Sequence, residues 1–366
     1  MKLHIPGIPH TQTNLSFSHC AFTQKVVKFI PMMRAQGYDV THYGVGDENP
    51  GANTHVKVLD VDEQRALMGE LGGPTAFVGD KATLGSPHYV AFNIRLKQEL
   101  EARVEASDLV CLPFGLAHQG AVETHAGQNV ESGIGYPECF LPFRIYESAS
   151  WESWHAGKEQ IPGSDYHWVI PNYFDVTHWP LGTGPRKYLA FFGRIGAIKG
   201  LDVIKEIAKA RPDLDVILCG QGDPTPWLDP KVPNLKYEPP KVGTERATFL
   251  GGALALLAPS RFYEPFCGVT VEANLCGTPA LTSDFGAYAE TIQNGENGWR
   301  CKTLGDWLAA IRWAEKPRDH ESIRDVAISR YSLQVIGPQY TRVFQQIADL
   351  RDHGARGWFS SRSDIS

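Results

Sequence analysis

The chain has 366 residues, of which 42% are hydrophobic and 21% charged, and its formal net charge is −6 at pH 7. This composition argues against a disordered or collagen-like chain, and at roughly 100–200 residues per domain the length predicts two domains. The acidic balance disfavours a protein that mainly coats nucleic acid, although it leaves room for a local basic groove. Seven cysteines lie scattered without a CxxC pair, which gives no support to a zinc ribbon or a disulfide framework.

The first half of the chain predicts strands alternating with helices. The predicted elements are strands over 2–5, 38–43, 108–114 and 166–175 and helices over 20–36 and 89–106. Pro31 should kink or shorten the first helix, and Gly37 should end it. The strand over 166–175 should break at Pro171. Residues 46–88 indicate loops with short elements, and 115–150 carry no clear pattern.

The second half has the clearer pattern. It predicts a strand over 188–192, a helix over 201–210 and a strand over 215–219, and the same alternation recurs over 254–258, 270–275 and 279–282. This βαβ arrangement predicts a parallel sheet. We therefore expect two doubly wound α/β domains, 1–168 and 169–330, with ligands bound in the cleft between them. A helix over 331–350 should follow, and 351–366 should be a flexible tail.

A glycine-rich turn with two cations follows the strand over 188–192. Backbone N–H groups of such a turn can surround an anion, and Arg194 and Lys199 at the same place favour a diphosphate. The turn lacks the GxxxxGK[ST] and GxGxxG patterns, so neither a P-loop nor a dinucleotide site is indicated. An ordinary turn with solvated cations remains the alternative.

Two glutamates, Glu264 and Glu272, are separated by seven residues. Glu272 could accept hydrogen bonds from a vicinal diol such as ribose, and Glu264 could face a second polyol such as a sugar. The backbone N–H groups of 266–269 would point at the same ligand. The alternative is that both carboxylates are solvated or salt-bridged.

These segments resemble the retaining glycosyltransferases with the GT-B fold, family 4 in particular, whose signature is E-x7-E. The resemblance covers about 168–300 and includes five further stretches: VIPNYFD at 169–175, FGRIGAIKG at 192–200, LCGQGD at 218–223, DFGAYAE at 284–290 and NGENG at 294–298. Two positions depart from the family pattern. Cys267 precedes Gly268 where the family has E-x-F-G, and Ala287 replaces the second glycine of G-G-x-x-E.

The resemblance implies two Rossmann-like domains facing a cleft and a C-terminal helix that crosses back to the first domain. It implies retaining transfer of a hexosyl group from a nucleotide-sugar, with a UDP-sugar favoured over a GDP-sugar and no metal required. Arg194 and Lys199 would stabilise the leaving diphosphate, and Glu272 would hold the ribose. The implied catalytic residues are Arg194, Lys199, Glu264 and His118, and the implied donor-binding residues are Gly7, Gly193, Gly220, Phe266, Cys267, Gly268, Val269 and Glu272.

The acceptor side is less defined. A histidine of the N-terminal domain should lie near the reacting centre; His118 is preferred, with His10, His19 and His125 as rivals. The acceptor could be a glycan, a lipid-linked sugar or a hydroxymethylated DNA base, and the sequence does not indicate an oligomeric state. A nucleotide-sugar 2-epimerase and a non-catalytic sugar-nucleotide-binding module remain alternative functions.

The chain carries no segment that predicts membrane insertion or export. Its longest strongly apolar run, 249–259, has about half the roughly 20 residues that a spanning helix needs. The N-terminus lacks the apolar segment of a secretory signal, so a cytoplasmic location is expected.

Overall fold

The computed structural model describes residues 1–17, 19–69, 84–161 and 163–352. Part of the region predicted as loops, 70–83, and nearly all of the predicted flexible tail lie outside the described residues. None of the helices in the described ranges is long and apolar enough to cross a membrane.

The N-terminal half forms a parallel sheet of seven strands in the order β3-β2-β1-β4-β5-β6-β7. The strands are β1 Lys2–Pro6, β2 Asp39–Val45, β3 Thr54–Leu59, β4 Leu109–Leu112, β5 Gln128–Ile134, β6 Arg144–Tyr146 and β7 His167–Val169. The helices of this half are α1 Ala21–Ala35, α2 Val61–Met68, α3 Pro87–Arg103 and α4 Ala149–Glu159. The apolar face of α1 packs into the core against β1 and β4.

The C-terminal half forms a second parallel sheet, of six strands in the order β10-β9-β8-β11-β12-β13. The strands are β8 Tyr188–Phe192, β9 Asp215–Cys219, β10 Leu235–Glu238, β11 Ala253–Ala258, β12 Ala280–Ser283 and β13 Gly298–Cys301. The helices are α5 Leu201–Ala210, α6 Gly243–Gly251, α7 Gly268–Leu275, α8 Tyr288–Thr291, α9 Leu304–Ala314, α10 His320–Tyr331 and α11 Leu333–Asp352. The order reverses at β8 and β11, which is where a doubly wound sheet opens a binding crevice.

The last helix, α11, packs on the N-terminal domain. Its Tyr340 and Phe344 are buried among core residues of the first half, and the ring of Tyr340 lies 4.9 Å from that of Phe29. The predicted single helix over 331–350 is wrong at its start, because Ser332 is extended and separates α10 from α11. At that break Phe174 of the interdomain linker donates its N–H to the carbonyl of Tyr331 at 2.8 Å.

Two predictions concern prolines of the first half, Pro31 and Pro171. Pro31 does not shorten α1, since its ring is exposed while the flanking residues Ile30 and Met32 are buried and keep the helix in place. The strand predicted over 166–175 with a break at Pro171 corresponds to β7, which ends at Val169, because the chain leaves the sheet before Pro171 to form the linker.

Candidate active site

A cavity of about 420 Å³ lies at the carboxyl ends of the second sheet and faces the N-terminal domain. Eight residues singled out in the sequence line it: Gly193, Arg194, Lys199, Gly220, Glu264, Cys267, Gly268 and Val269. The N-terminal domain contributes His10, His19, Phe22 and Phe114 to its wall. The cavity is therefore lined by both domains and lies in the interdomain cleft where the sequence predicts ligand binding.

The turns after β8 and β9 pack backbone against backbone. The N–H of Gly193 donates to the carbonyl of Cys219 at 3.0 Å. Gly220 has a φ of +156°, and a side chain there would collide with the carbonyl of Gly193. Glycine at 220 thus allows the close approach that sets the floor of the cavity.

Lys199 and Glu264 form an ion pair inside the cavity. The ammonium Nζ lies 2.5 Å from Oε1 of Glu264, which also accepts a hydrogen bond from the hydroxyl of Ser260 at 2.7 Å. The Glu264 side chain is only 8% exposed and that of Lys199 is 26% exposed. The pair therefore places a cation in a sheltered position where its field is screened weakly.

Cys267 occupies the left-handed backbone position before α7. Its φ is +66° and its ψ is +68°, a conformation in which glycine is favoured. A cysteine thus stands at the glycine position of E-x-F-G, in a backbone conformation that glycine adopts with less strain. Burial raises the pKa of the Cys267 thiol to about 12, so the group stays protonated at neutral pH. The hydroxyl of Tyr288 donates to its sulfur at 3.3 Å.

Glu272 lies on α7 and is buried, but it does not line the cavity. Its carboxylate forms an ion pair with Arg246 of α6, and Arg246 does line the cavity. The guanidinium carbon of Arg246 lies 4.4 Å from the ring centre of Phe192. Arg246 is not predictable from the sequence, because a single arginine in a helix carries no local signature of a site.

Three other predicted site residues lie outside the cavity wall. Phe266 is buried against the interdomain linker and α10, with its ring 5.5 Å from that of Tyr331. Gly7 is buried where a side chain would contact Thr13 at 2.6 Å, which explains a glycine there by packing alone. His118 is fully buried and its Nδ1 lies 3.2 Å from the amide oxygen of Asn93.

The four candidate histidines differ in their surroundings. Burial lowers the pKa of His118 to about 3, and His125 pairs with Asn129 away from the cavity. His10 and His19 reach the cavity. Burial also lowers the pKa of His10 to about 4, and its Nδ1 lies 2.6 Å from the hydroxyl of Tyr89. A neutral imidazole at His10 can hydrogen-bond a substrate hydroxyl. The histidine preferred from the sequence, His118, is therefore not one of the two that line the cavity.

Comparison with known proteins supports the resemblance of the C-terminal half. Residues 177–324 match the family Glycosyl transferases group 1. Glycogen synthase of Mycobacterium tuberculosis is 32% identical over 168 residues, covering 41% of this chain and 40% of that protein. D-inositol 3-phosphate glycosyltransferase of Mycobacterium sp. (strain KMS) is 30% identical over 165 residues, covering 41% and 37%. The chain thus spans about two fifths of the length of the curated relatives it matches.

Solved structures match nearly the whole chain. AviGT4, a glycosyltransferase involved in avilamycin A biosynthesis, superimposes with a TM-score of 0.67 at 16% identity and covers 95% of this chain and 98% of its own. Sucrose-phosphate synthase of Thermosynechococcus elongatus gives a TM-score of 0.69 at 14% identity, with 95% and 99% covered. Together with the two parallel sheets, these matches confirm the predicted GT-B fold.

Proposed function

We propose that this chain is a retaining, family 4-like hexosyltransferase that uses a nucleoside diphosphate-sugar, with a UDP-sugar favoured. The observation that carries the proposal is the sheltered ion pair of Lys199 and Glu264, next to Arg194 and the glycine turns. One structural match supports uridine as the base. An Anabaena protein whose structure was solved in complex with UDP and glucose has a TM-score of 0.65 at 14% identity, and the match covers 94% of this chain and 99% of that protein.

The residues of the cavity suit departure of a diphosphate. The bond between the sugar C1 and the β-phosphate oxygen breaks, and negative charge accumulates on that oxygen. Arg194 and Lys199 would stabilise this charge, as preorganised cations do in a site of low dielectric. The acceptor hydroxyl attacks C1 from the face that the diphosphate leaves, and its proton passes to the departing phosphate oxygen. This route needs neither a protein nucleophile nor a metal.

Glu264 and the backbone N–H groups at 267 and 268 would hold the sugar. Glu272 would accept the ribose hydroxyls, for which it would turn from Arg246 or share its carboxylate with both. Arg246 would then be part of the donor site, since it lines the cavity and pairs with Glu272, the glutamate proposed to bind ribose.

The acceptor would approach from the N-terminal domain. Phe22 and Phe114 line the cavity there, and their ring centres lie 4.2 Å apart. Such an aromatic wall can stack against the apolar face of a sugar ring or against a base. Among the acceptors left open by the sequence, all carry a hydroxyl attached to or near a ring.

The first experiment is thermal-shift screening with UDP, GDP, ADP and CMP, each with and without EDTA. We expect UDP to raise the Tm most, and EDTA to leave the shift unchanged because no metal is needed. Absence of a shift with all four nucleotides contradicts the proposed donor site. Incubation of labelled UDP-glucose with and without acceptors then separates the functions. Sugar transfer or slow release of glucose of retained α configuration supports the transferase, whereas a changed C2 configuration indicates an epimerase.

A further inference from the structure

The N-terminus of α4, in the first domain, is capped by a carboxylate of the second domain. Glu290, of the segment DFGAYAE, accepts the N–H of Ala149 at 2.9 Å and the N–H of Ser150 at 2.8 Å. It also accepts the hydroxyl of Ser150 at 2.6 Å. Both carboxylate oxygens are used, and the helix dipole adds to the attraction because the first turn of a helix favours negative charge.

The same end of α4 contacts the donor loop directly. The hydroxyl of Ser148, which is 1% exposed, donates to the carbonyl of Pro265 at 2.6 Å. Pro265 lies between Glu264 and Phe266, so this bond fixes the loop next to the glutamate that pairs with Lys199. The Ser148 hydroxyl also accepts the N–H of Trp151 at 3.0 Å, which ties the bond to the first turn of α4.

A second contact connects the first turn of α4 with the segment of Gly286 and Ala287, which in turn contacts Glu264. The hydroxyl of Ser150 lies 3.2 Å from the carbonyl of Gly286, to which it can donate. The next residue, Ala287, donates its N–H to the carbonyl of Glu264 at 3.3 Å. The first turn of α4 therefore contacts the donor loop from one side and the segment that supports this loop from the other.

We propose that Glu290 and the first turn of α4 form an interdomain clamp that positions the donor loop 264–268 for the reaction. The inference rests on the proposed function. Glu290 does not line the cavity and so acts through the loop, as a positioning residue. The diphosphate-binding residues Gly193, Arg194 and Lys199 belong to the C-terminal domain, so nucleotide binding should not require the clamp. Placement of the sugar against Glu264 should require it.

The test compares Glu290→Gln with a matched control, Glu296→Gln, an exposed glutamate of the same domain. Glutamine keeps one acceptor oxygen and presents an NH₂ group to a backbone N–H, so one side of the cap is lost. Since hydrogen bonds to charged groups are the stronger ones, we expect kcat for hydrolysis or transfer of the donor sugar to fall about tenfold or more. The Kd for UDP should stay within about twofold, and the control should behave as wild type.

Two further variants separate positioning from general destabilisation. Glu290→Asp keeps both oxygens and the charge, and should recover part of the lost kcat. Ser150→Ala removes a hydroxyl that contacts both Glu290 and Gly286. Combined with Glu290→Gln it should lower kcat by less than the product of the single effects, because the two residues act through one contact. Multiplicative effects, an unchanged kcat in Glu290→Gln, or a parallel loss of UDP affinity would each overturn the proposal.

Amide hydrogen exchange tests the clamp without any turnover. In Glu290→Gln, exchange should accelerate in peptides containing 149–151 and 264–268 and remain unchanged in those containing 201–210. If the wild-type protein turns over no donor sugar while exchange rises as expected, the proposed function fails and the clamp stands. If exchange in both segments equals that of the wild type, the clamp is refuted whatever the activity.

Discussion

Replacing Lys199 by methionine tests the centre of the proposed mechanism. The substitution keeps most of the apolar stem and removes the ammonium that lies 2.5 Å from Glu264. Removal of one preorganised group that stabilises charge in a transition state typically costs about 3–4 kcal/mol, or 10²–10³-fold in kcat. We therefore expect donor turnover by Lys199→Met to fall by about that factor, with UDP binding weakened as well.

The same substitution has a predictable effect on stability. Glu264 would keep the hydrogen bond from the hydroxyl of Ser260 but lose its cation, at 8% side-chain exposure. Breaking a fully buried pair costs about 3–5 kcal/mol, but the Lys199 side chain is 26% exposed, so about 1–3 kcal/mol is expected. The double variant Lys199→Met/Glu264→Gln removes the unpaired charge and should regain most of this stability, while its activity should not return.

Urea unfolding measures the change in stability. Release of UDP from a UDP-sugar at saturating donor measures the change in turnover. Opposite responses in the double variant separate the structural role of the pair from its chemical role. If Lys199→Met remains folded and turns over donor within about tenfold of the wild type, the cation is not at the leaving group. The reasoning on stability is refuted if the single and double variants unfold at the same urea concentration as the wild type.

Two further predictions concern groups held in unusual states. Cys267→Gly should be more stable than Cys267→Ala by about 1 kcal/mol, the reverse of the usual order, because only glycine adopts a φ of +66° without strain; equal urea midpoints would contradict the left-handed backbone. Burial raises the pKa of Glu131 to about 7, so the folded state holds a proton that the unfolded chain releases near pH 4.5. Its contribution is present below about pH 4.5 and is lost as the pH rises to about 7, a change of roughly 3 kcal/mol at most. The stability difference between wild type and Glu131→Gln should follow this pH dependence, since the buried histidines are common to both proteins, and a flat difference would refute it.

Local patterns predicted the second domain better than the first. The strand over 188–192, the helix over 201–210 and the strand over 215–219 were predicted with the bounds that the structure has. Each of these elements has an apolar pattern that is complete within its own residues. By contrast, β5 was not predicted, because its buried positions include Glu131 and Ser132, whose polar side chains break the apolar pattern.

Predictions of the site divide in the same way. Arg194, Lys199 and Glu264 lie near turns whose glycines signal them, and the structure brings them to one cavity. Arg246 reaches that cavity through a contact with Glu272 across two helices, which no short spacing reveals. His118 and His10 both follow a strand in the sequence and both are buried, but the 3₁₀ turn Gly115–Ala121 places His118 outside the cavity wall whereas His10 lines it. Residues that are placed by packing between separate segments, within one domain or between the two, are therefore the ones that sequence patterns leave undetermined.

The net charge of −6 conceals how charge is arranged at the cleft. Three cations lining the cavity form ion pairs with carboxylates of the same domain: Lys199 with Glu264, Arg246 with Glu272, and Lys241 with Glu238 at 3.0 Å. Each pairing reduces the mutual repulsion of cations that would otherwise oppose folding. A diphosphate entering the cavity would compete with these carboxylates for the same cations. Glu264 and Glu272 would then be released toward hydroxyl groups of the donor, in the roles of sugar and ribose ligands that the family resemblance implies for them. The same charged groups would therefore form ion pairs in the absence of donor and ligand contacts in its presence. The salt-bridged state of Glu264 and Glu272, which the sequence left open as an alternative, is thus compatible with the donor-site interpretation.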